Sequence, residues 1–122
     1  MKRNGMLLLV IMALAACGGG NDNAAGEVVE KYLQAKVDGD GDILKTVLCA
    51  ANEGDANREA ASFAALDATL ESVACTFEDA SSTVSCTGKI VAVYNGENRD
   101  IELPNYSVVQ EDGLWKVCGE AG

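Results

Sequence analysis

The sequence predicts an α+β domain with two to three N-terminal helices packed on a curved antiparallel meander sheet of about four strands. Apolar residues recur at helical spacing up to about residue 65 and then alternate with polar residues up to residue 118. Short turn-forming sequences such as Asn95-Gly96 separate the alternating segments. Because helices precede strands and the connections between strands are short, the helices are expected on one face of a single sheet.

Three segments have helical periodicity. The first, residues 27–37, carries a single apolar stripe with polar residues on the opposite side. The acidic and glycine-rich residues 38–42 interrupt it, and Asp42 is predicted to cap a second helix that reaches Leu48. An alanine-rich stretch, 57–65, is interpreted as a third, short helix.

Four later segments are rich in Val, Ile, Thr and Tyr and are predicted to be strands: 70–78, 82–94, 99–110 and 114–118. Asn95-Gly96 favours a tight hairpin turn because both residues tolerate positive φ, and Glu111-Asp112-Gly113 is predicted to form the next turn. Pro104 lacks a backbone donor, so its strand is expected to bulge or to lie at an edge there.

The N-terminus has the order typical of a secretory signal. Lys2 and Arg3 precede an apolar run from Met6 to Leu14, which is too short to span a bilayer as a permanent helix. The following Leu14-Ala15-Ala16-Cys17 resembles the lipobox of bacterial lipoproteins. The resemblance implies cleavage after Ala16, acylation of Cys17 and a lipid-anchored position in the cell envelope, on the extracytoplasmic side of a membrane.

This reading divides the chain into a signal peptide at 1–16, a flexible glycine- and asparagine-rich tether at 17–25 and one domain at 26–122. Cleavage would remove Lys2 and Arg3 but no acidic residue, leaving seven basic residues against 19 acidic ones. The formal charge then falls from −10 to −12. Such an acidic body repels phosphate groups, so nucleic acid is not an expected partner and membrane attachment is expected through the acyl chains on Cys17.

The four cysteines other than Cys17 are predicted to form two structural disulfides. If the first hairpin is centred between Ala80 and Ser81, Cys75 lies directly opposite Cys86, which leaves Cys49 to pair with Cys118. A metal or redox site is the alternative. The chain has no histidine and no Cys-x-x-Cys, so no metal ligand set is predicted.

The helical segment 28–35, the polar link 38–40 and the closing hairpin 106–118 resemble the uncharacterised lipoprotein branch of the nuclear-transport-factor-2-like superfamily. The resemblance covers about residues 26–118 and implies a cone-shaped, cystatin-like α+β domain. It leaves the activity open, because the superfamily includes isomerases, dehydratases, subunits and binding modules.

No catalytic residue, metal ligand or cofactor site is predicted. The alternating acidic residues of 38–42 suggest calcium, but Ile43 and Cys49 stand where a calcium loop needs glycine and glutamate, so a turn with a helix cap is preferred. Large side chains are expected to line a pocket between the first helix and the sheet, with Tyr32 and Trp115 foremost. The candidate lining residues are Tyr32, Phe63, Tyr94, Tyr106 and Trp115.

These observations favour a lipid-anchored binding or interaction module that takes a small apolar ligand or a protein partner. The alternatives are a small enzyme of isomerase or dehydratase type, and a passive envelope protein that assembles through an open sheet face, for example as a homodimer.

Overall fold

The computed structural model describes residues 23–121, and these form an α+β domain with the helices before the sheet. The predicted cleavage site and Cys17 lie outside the described residues. The helices are α1 (Ala24–Asp38), α2 (Gly41–Val47) and α3 (Ala56–Ala60), with a 3₁₀ helix at Ala50–Asp55 and another at Asp79–Ser81. The strands are β1 (Thr69–Glu78), β2 (Thr83–Tyr94), β3 (Glu97–Glu102), β4 (Tyr106–Glu111) and β5 (Leu114–Glu120).

Helix α1 begins three residues earlier than the sequence predicts. The sequence predicts that Ala24 and Ala25 belong to the tether, but both are helical and Ala25 is buried against the core. The helix ends where Gly39 adopts a left-handed conformation and its N–H bonds back to Lys36. Asp40 caps α2 in place of the predicted Asp42, and its carboxylate accepts a hydrogen bond from the Ile43 N–H at 3.1 Å.

The predicted third helix, 57–65, is also shifted. The chain instead forms the 3₁₀ helix Ala50–Asp55, which runs directly into the short α3, and turns follow as far as Asp67. An Ala-rich sequence has a high helix propensity, but beyond α3 it offers few large apolar side chains to bury, and helices this short depend on packing.

The sheet has five antiparallel strands among residues 23–121, one more than predicted. The predicted strand 99–110 is divided into β3 and β4, with the break around Pro104. Both pieces pair with β2: β3 with Lys89 to Tyr94, and β4 with Thr83 and Val84. Pro104 has no N–H to donate, so pairing stops there, as its position in the sequence indicates. The meander is otherwise as predicted, with β5 pairing with β4.

The first hairpin has the predicted register, with Cys75 opposite Cys86. Their Cα atoms are 4.0 Å apart and the sulfurs are bonded; Cys49 and Cys118 form the other disulfide. The register shifts by one residue further along, where Ser72 and Gly88 both have positive φ. This is a β-bulge.

Side chains from α1 and from Asn23, the residue just before it, occupy the outer edge of β1. The Asn23 amide donates to the Cys75 carbonyl at 2.9 Å and accepts from the Phe77 N–H at 3.1 Å. The Glu30 carboxylate accepts from the Cys75 N–H at 2.8 Å. This edge therefore has hydrogen-bond partners although no strand among residues 23–121 lies beside it.

The core lies between the helices and the sheet. Helix α1 packs on β1, β2 and β5, and Leu48 pairs with Val117 in a parallel bridge that brings the end of α2 to β5. Within the described residues, no helix is long and apolar enough to cross a membrane. The buried core residues with the least exposure include Val29, Leu33, Leu44, Val84 and Val117.

Candidate functional site

A groove of about 450 Å³ lies where the start of α1, the end of α2 and the β4–β5 hairpin meet. Its apolar surface comes mainly from four side chains, and we call it the Trp115 groove. Ala24, the first residue of α1, is part of its wall, so the chain enters the described domain at this groove. The four apolar side chains are Val28, Val47, Leu114 and Trp115.

The turn between β4 and β5 positions two of the apolar side chains of the groove. Asp112 and Gly113 have φ of 54° and 80°, as a tight two-residue hairpin requires, and Leu114 and Trp115 follow at once. Trp115 is half-buried and packs against Phe77 with ring centroids 4.9 Å apart. Leu114 is 60% exposed, the largest exposed fraction among the large apolar side chains described. The groove thus combines a supported aromatic ring with an apolar residue left open to solvent.

Charged residues also line the groove. Lys31 on α1 and Lys116 on β5 are two of its ten lining residues, and Glu27 is a third charged one. The Lys116 ammonium donates to the Thr46 carbonyl at 2.6 Å, a contact that holds its charge at the groove. An ammonium has three donors, so this contact leaves others for a ligand.

A second group of side chains lies inside the domain. It joins Tyr32 and Lys36 of α1 to Glu59 of α3 and Tyr106 of β4, and we call it the Tyr32 cluster. The Tyr32 hydroxyl donates to Glu59 Oε1 at 2.5 Å, and the Lys36 ammonium lies 3.7 Å from the same oxygen. The rings of Tyr32 and Tyr106 meet edge to face at 5.6 Å.

The two tyrosines of this cluster are held in the protonated form. Burial raises the pKa of the Tyr32 phenol far above its usual value, and the hydrogen bond to the Glu59 carboxylate raises it further. Burial also raises the pKa of Tyr106, with added repulsion from Glu120 and Glu59. Both phenols can therefore donate hydrogen bonds but are poor proton acceptors near neutral pH.

The two tyrosines of the Tyr32 cluster are closed to solvent, since Tyr32 and Tyr106 are 2% and 3% exposed. Among the described residues, two further grooves of about 520 and 430 Å³ lie around residues 38–42 and beside Phe63, and neither is lined by Tyr32, Glu59 or Tyr106. The acidic residues 38–42 form the turn and the α2 cap. Within residues 23–121, no group of three or more metal-ligating side chains is close enough to share an ion.

The predicted lining residues therefore do not form one pocket. Tyr32 and Tyr106 are in contact, and Phe63 is near them because the Lys36 ammonium lies 5.8 Å from its ring. Trp115 lines a different site. Tyr94 is 38% exposed at the end of β2, where the Arg99 guanidinium lies over its ring at 5.3 Å from the centroid.

Four functional candidates were not predicted from the sequence: Lys31, Lys36, Glu59 and Lys116. Lys36 follows Tyr32 by one helical turn, and this spacing indicates a contact between them. Glu59 carries no such signal, because it reaches Tyr32 only through the packing of α3 on α1.

Comparison with known protein families, with characterised proteins and with solved structures gives no significant match for this chain.

Proposed function

We propose that this protein is a lipid-anchored binding module on the extracytoplasmic side of a membrane, and that the Trp115 groove is its binding site. The observation that carries the proposal is an open groove with apolar side chains at the entry point of the chain into the domain. Ligand sites are commonly concave, largely apolar and supplied with a few polar groups, and this groove has that composition.

The lipid anchor at Cys17 and a cone shape of the domain are part of the same proposal. Cys17 lies seven residues before Ala24, and an extended chain covers about 3.5 Å per residue, so an acylated Cys17 would hold the groove within about 25 Å of the bilayer. The order of helices and strands also supports a cone-shaped domain of the nuclear-transport-factor-2-like type.

The chain contains a single tryptophan, so its fluorescence reports directly on this groove. The full chain carrying Cys17→Ser, which lacks the acylated thiol, is titrated with 1-decanol. We expect a blue shift of the Trp115 emission.

Leu114→Ser should weaken binding about fivefold, since it removes part of an apolar contact. The matched control is Tyr94→Ser, which removes an exposed apolar side chain away from the groove. Native mass spectrometry of the same protein tests for a co-purified ligand and for dimers. An unchanged emission spectrum, or an equal loss in the control, contradicts the proposal.

A second candidate function, a small isomerase or dehydratase, is favoured by the contact between the Tyr32 hydroxyl and Glu59. A phenol donor beside a carboxylate is a pair that proton-transfer enzymes use. The burial of Tyr32 and Tyr106 leaves a substrate little access to the cluster, which favours binding instead, and we expect no turnover of carbonyl or epoxide substrates. Turnover that is lost in Glu59→Gln but retained in Glu97→Gln, with both variants folded, would establish the enzyme.

A further inference from the structure

We infer that the Trp115 groove takes one apolar chain of an amphiphile with an anionic head group, the chain on Val28, Leu114 and Trp115 and the head group at Lys31 and Lys116. This inference rests on the proposed function, because it names the ligand class of the same groove. It adds that the ligand carries a negative charge, which the apolar surface of the groove does not specify.

The charge balance at the groove differs from that of the rest of the protein. After residue 16 the chain carries seven basic and 19 acidic residues. Among the groove-lining residues the ratio is reversed, with Lys31 and Lys116 against Glu27. At physiological ionic strength charges interact over about 8 Å, so a ligand in the groove responds mainly to these neighbours and less to the distant acidic surface.

The position of Lys116 supports a head-group site. Its neighbour in sequence, Trp115, provides apolar surface, while the Lys116 ammonium is held at the carbonyl of Thr46, another residue that lines the groove. Lys31 is exposed on α1 one turn after Val28. An apolar surface and cationic groups therefore occur side by side, which is the arrangement that suits an amphiphile with an anionic end.

Such a ligand could come from solution or from the bilayer itself, because the chain enters the domain beside the groove. A free fatty acid and an anionic phospholipid share the required chemistry. Both present an apolar chain next to a carboxylate or phosphate.

The test compares three probes with the same ten-carbon chain: decanoate, 1-decanol and decyltrimethylammonium. Each is titrated below its micelle concentration into the full chain carrying Cys17→Ser, with Trp115 fluorescence as the readout. We expect decanoate to bind about fivefold more tightly than decanol, the scale of two partly exposed ion pairs, and the cationic probe to bind most weakly. The preference for decanoate should shrink at high salt.

The double variant Lys31→Gln/Lys116→Gln should bind decanoate and decanol equally. Lys89→Gln is the matched control, since it removes an exposed lysine bonded to Asp100 and should retain the preference. If loss of the Lys116 contact to Thr46 prevents the double variant from folding, Lys31→Gln alone serves as the second variant. It should lose about half of the preference for decanoate over decanol.

Vesicles of phosphatidylglycerol and of phosphatidylcholine identify the source of the ligand. A Trp115 shift with phosphatidylglycerol alone assigns the membrane lipid, and a shift with decanoate alone assigns a free amphiphile.

Two results separate the inference from the proposed function. Equal affinity for decanoate and decanol, or tightest binding of the cationic probe, overturns the anionic preference and leaves an apolar binding groove. No Trp115 response to any probe overturns both.

Discussion

Asn23 and Gly26 determine how closely α1 approaches the edge of β1. The Asn23 amide pairs with β1 much as a neighbouring strand would, donating to Cys75 and accepting from Phe77. This use explains why Asn23 makes no side-chain cap for its own helix. A Cβ at position 26 would lie 2.4 Å from the Cys75 carbonyl oxygen, so glycine is required for the contact.

Gly26→Ala should therefore lower the free energy of unfolding by about 1–3 kcal/mol, because the added methyl group forces α1 away from β1 and strains the Asn23 hydrogen bonds. Gly54→Ala is the matched control, since a Cβ there meets no atom within 4 Å; its effect should stay within about 0.5 kcal/mol. Urea unfolding of both variants provides the measurement. Equal stabilities would contradict the close approach.

The raised pKa values of Tyr32 and Tyr106 predict a loss of stability at high pH. Both folded-state pKa values exceed the usual value near 10, so the folded protein retains protons that the unfolded chain releases. The free energy of unfolding should be constant from pH 7 to 9 and fall above pH 10, by about 1.4 kcal/mol per pH unit for each tyrosine.

Urea unfolding at a series of pH values gives this slope, and the double variant Tyr32→Phe/Tyr106→Phe should have a flatter alkaline limb than the natural chain. A slope unchanged in the double variant would assign the effect to other groups.

At the scale of elements, β2 organises the sheet because it is long enough to pair along both edges. One edge carries β1, and the other carries β3 and then β4, with the break around Pro104. Two glycines have clear geometric roles at the bulge and the last hairpin: Gly88 faces the Glu71 and Ser72 carbonyls, and Gly113 forms the turn. The turn at Gly113 leads directly into Trp115 and Lys116, which line the groove together with residues of α1.

The two disulfides should differ in their effect on stability. Cys49 and Cys118 are 69 residues apart in sequence, whereas Cys75 and Cys86 are 11 apart. In the chain-entropy model a loop of about 70 residues contributes about 4.4 kcal/mol and one of about 12 residues about 2.8 kcal/mol. The variant Cys49→Ala/Cys118→Ala should therefore be less stable than Cys75→Ala/Cys86→Ala.

Denaturant unfolding of the two double variants measures the difference, and non-reducing peptide mapping of the natural chain checks the pairing. A Cys49–Cys75 peptide would contradict both the hairpin register and the place of α2.

At the scale of the whole molecule, the charge and the N-terminal sequence bear on the same question of location. An acidic body gives little attraction to anionic membranes, so a stable membrane position needs an anchor of another kind. The proposed acylation of Cys17 would supply one.

Cys17→Ala should accordingly move the protein out of the membrane fraction or leave it unprocessed, because the acylated thiol is lost. Cell fractionation with immunoblotting measures the distribution, and Gly20→Ala in the same tether should leave it unchanged. A Cys17→Ala protein that is cleaved normally and still sediments with membranes would show that the anchor is something else.

The fold class, the disulfide pairing and the approximate positions of most elements could be predicted from the sequence, because they follow from local patterns. Apolar periodicity distinguishes helix from strand, and the centre of one hairpin places Cys75 opposite Cys86. Pro104 indicates an irregularity in the predicted third strand, and this strand is divided into β3 and β4 around it. Element boundaries such as Ala24 and Asp40 were less predictable, since they depend on contacts with other segments.

The tertiary structure alone decided which side chains share a site. Tyr32 meets Glu59, and Trp115 lines a groove together with Lys31, only because α3 and the last hairpin pack against different parts of α1. The apolar periodicity of the sequence predicts local helices and strands, but it does not predict such contacts between distant segments. The sequence by itself determined an acidic, disulfide-bonded α+β chain, because composition and local patterns specify these properties, whereas packing decided that its large aromatic residues separate into a buried interior and an open groove.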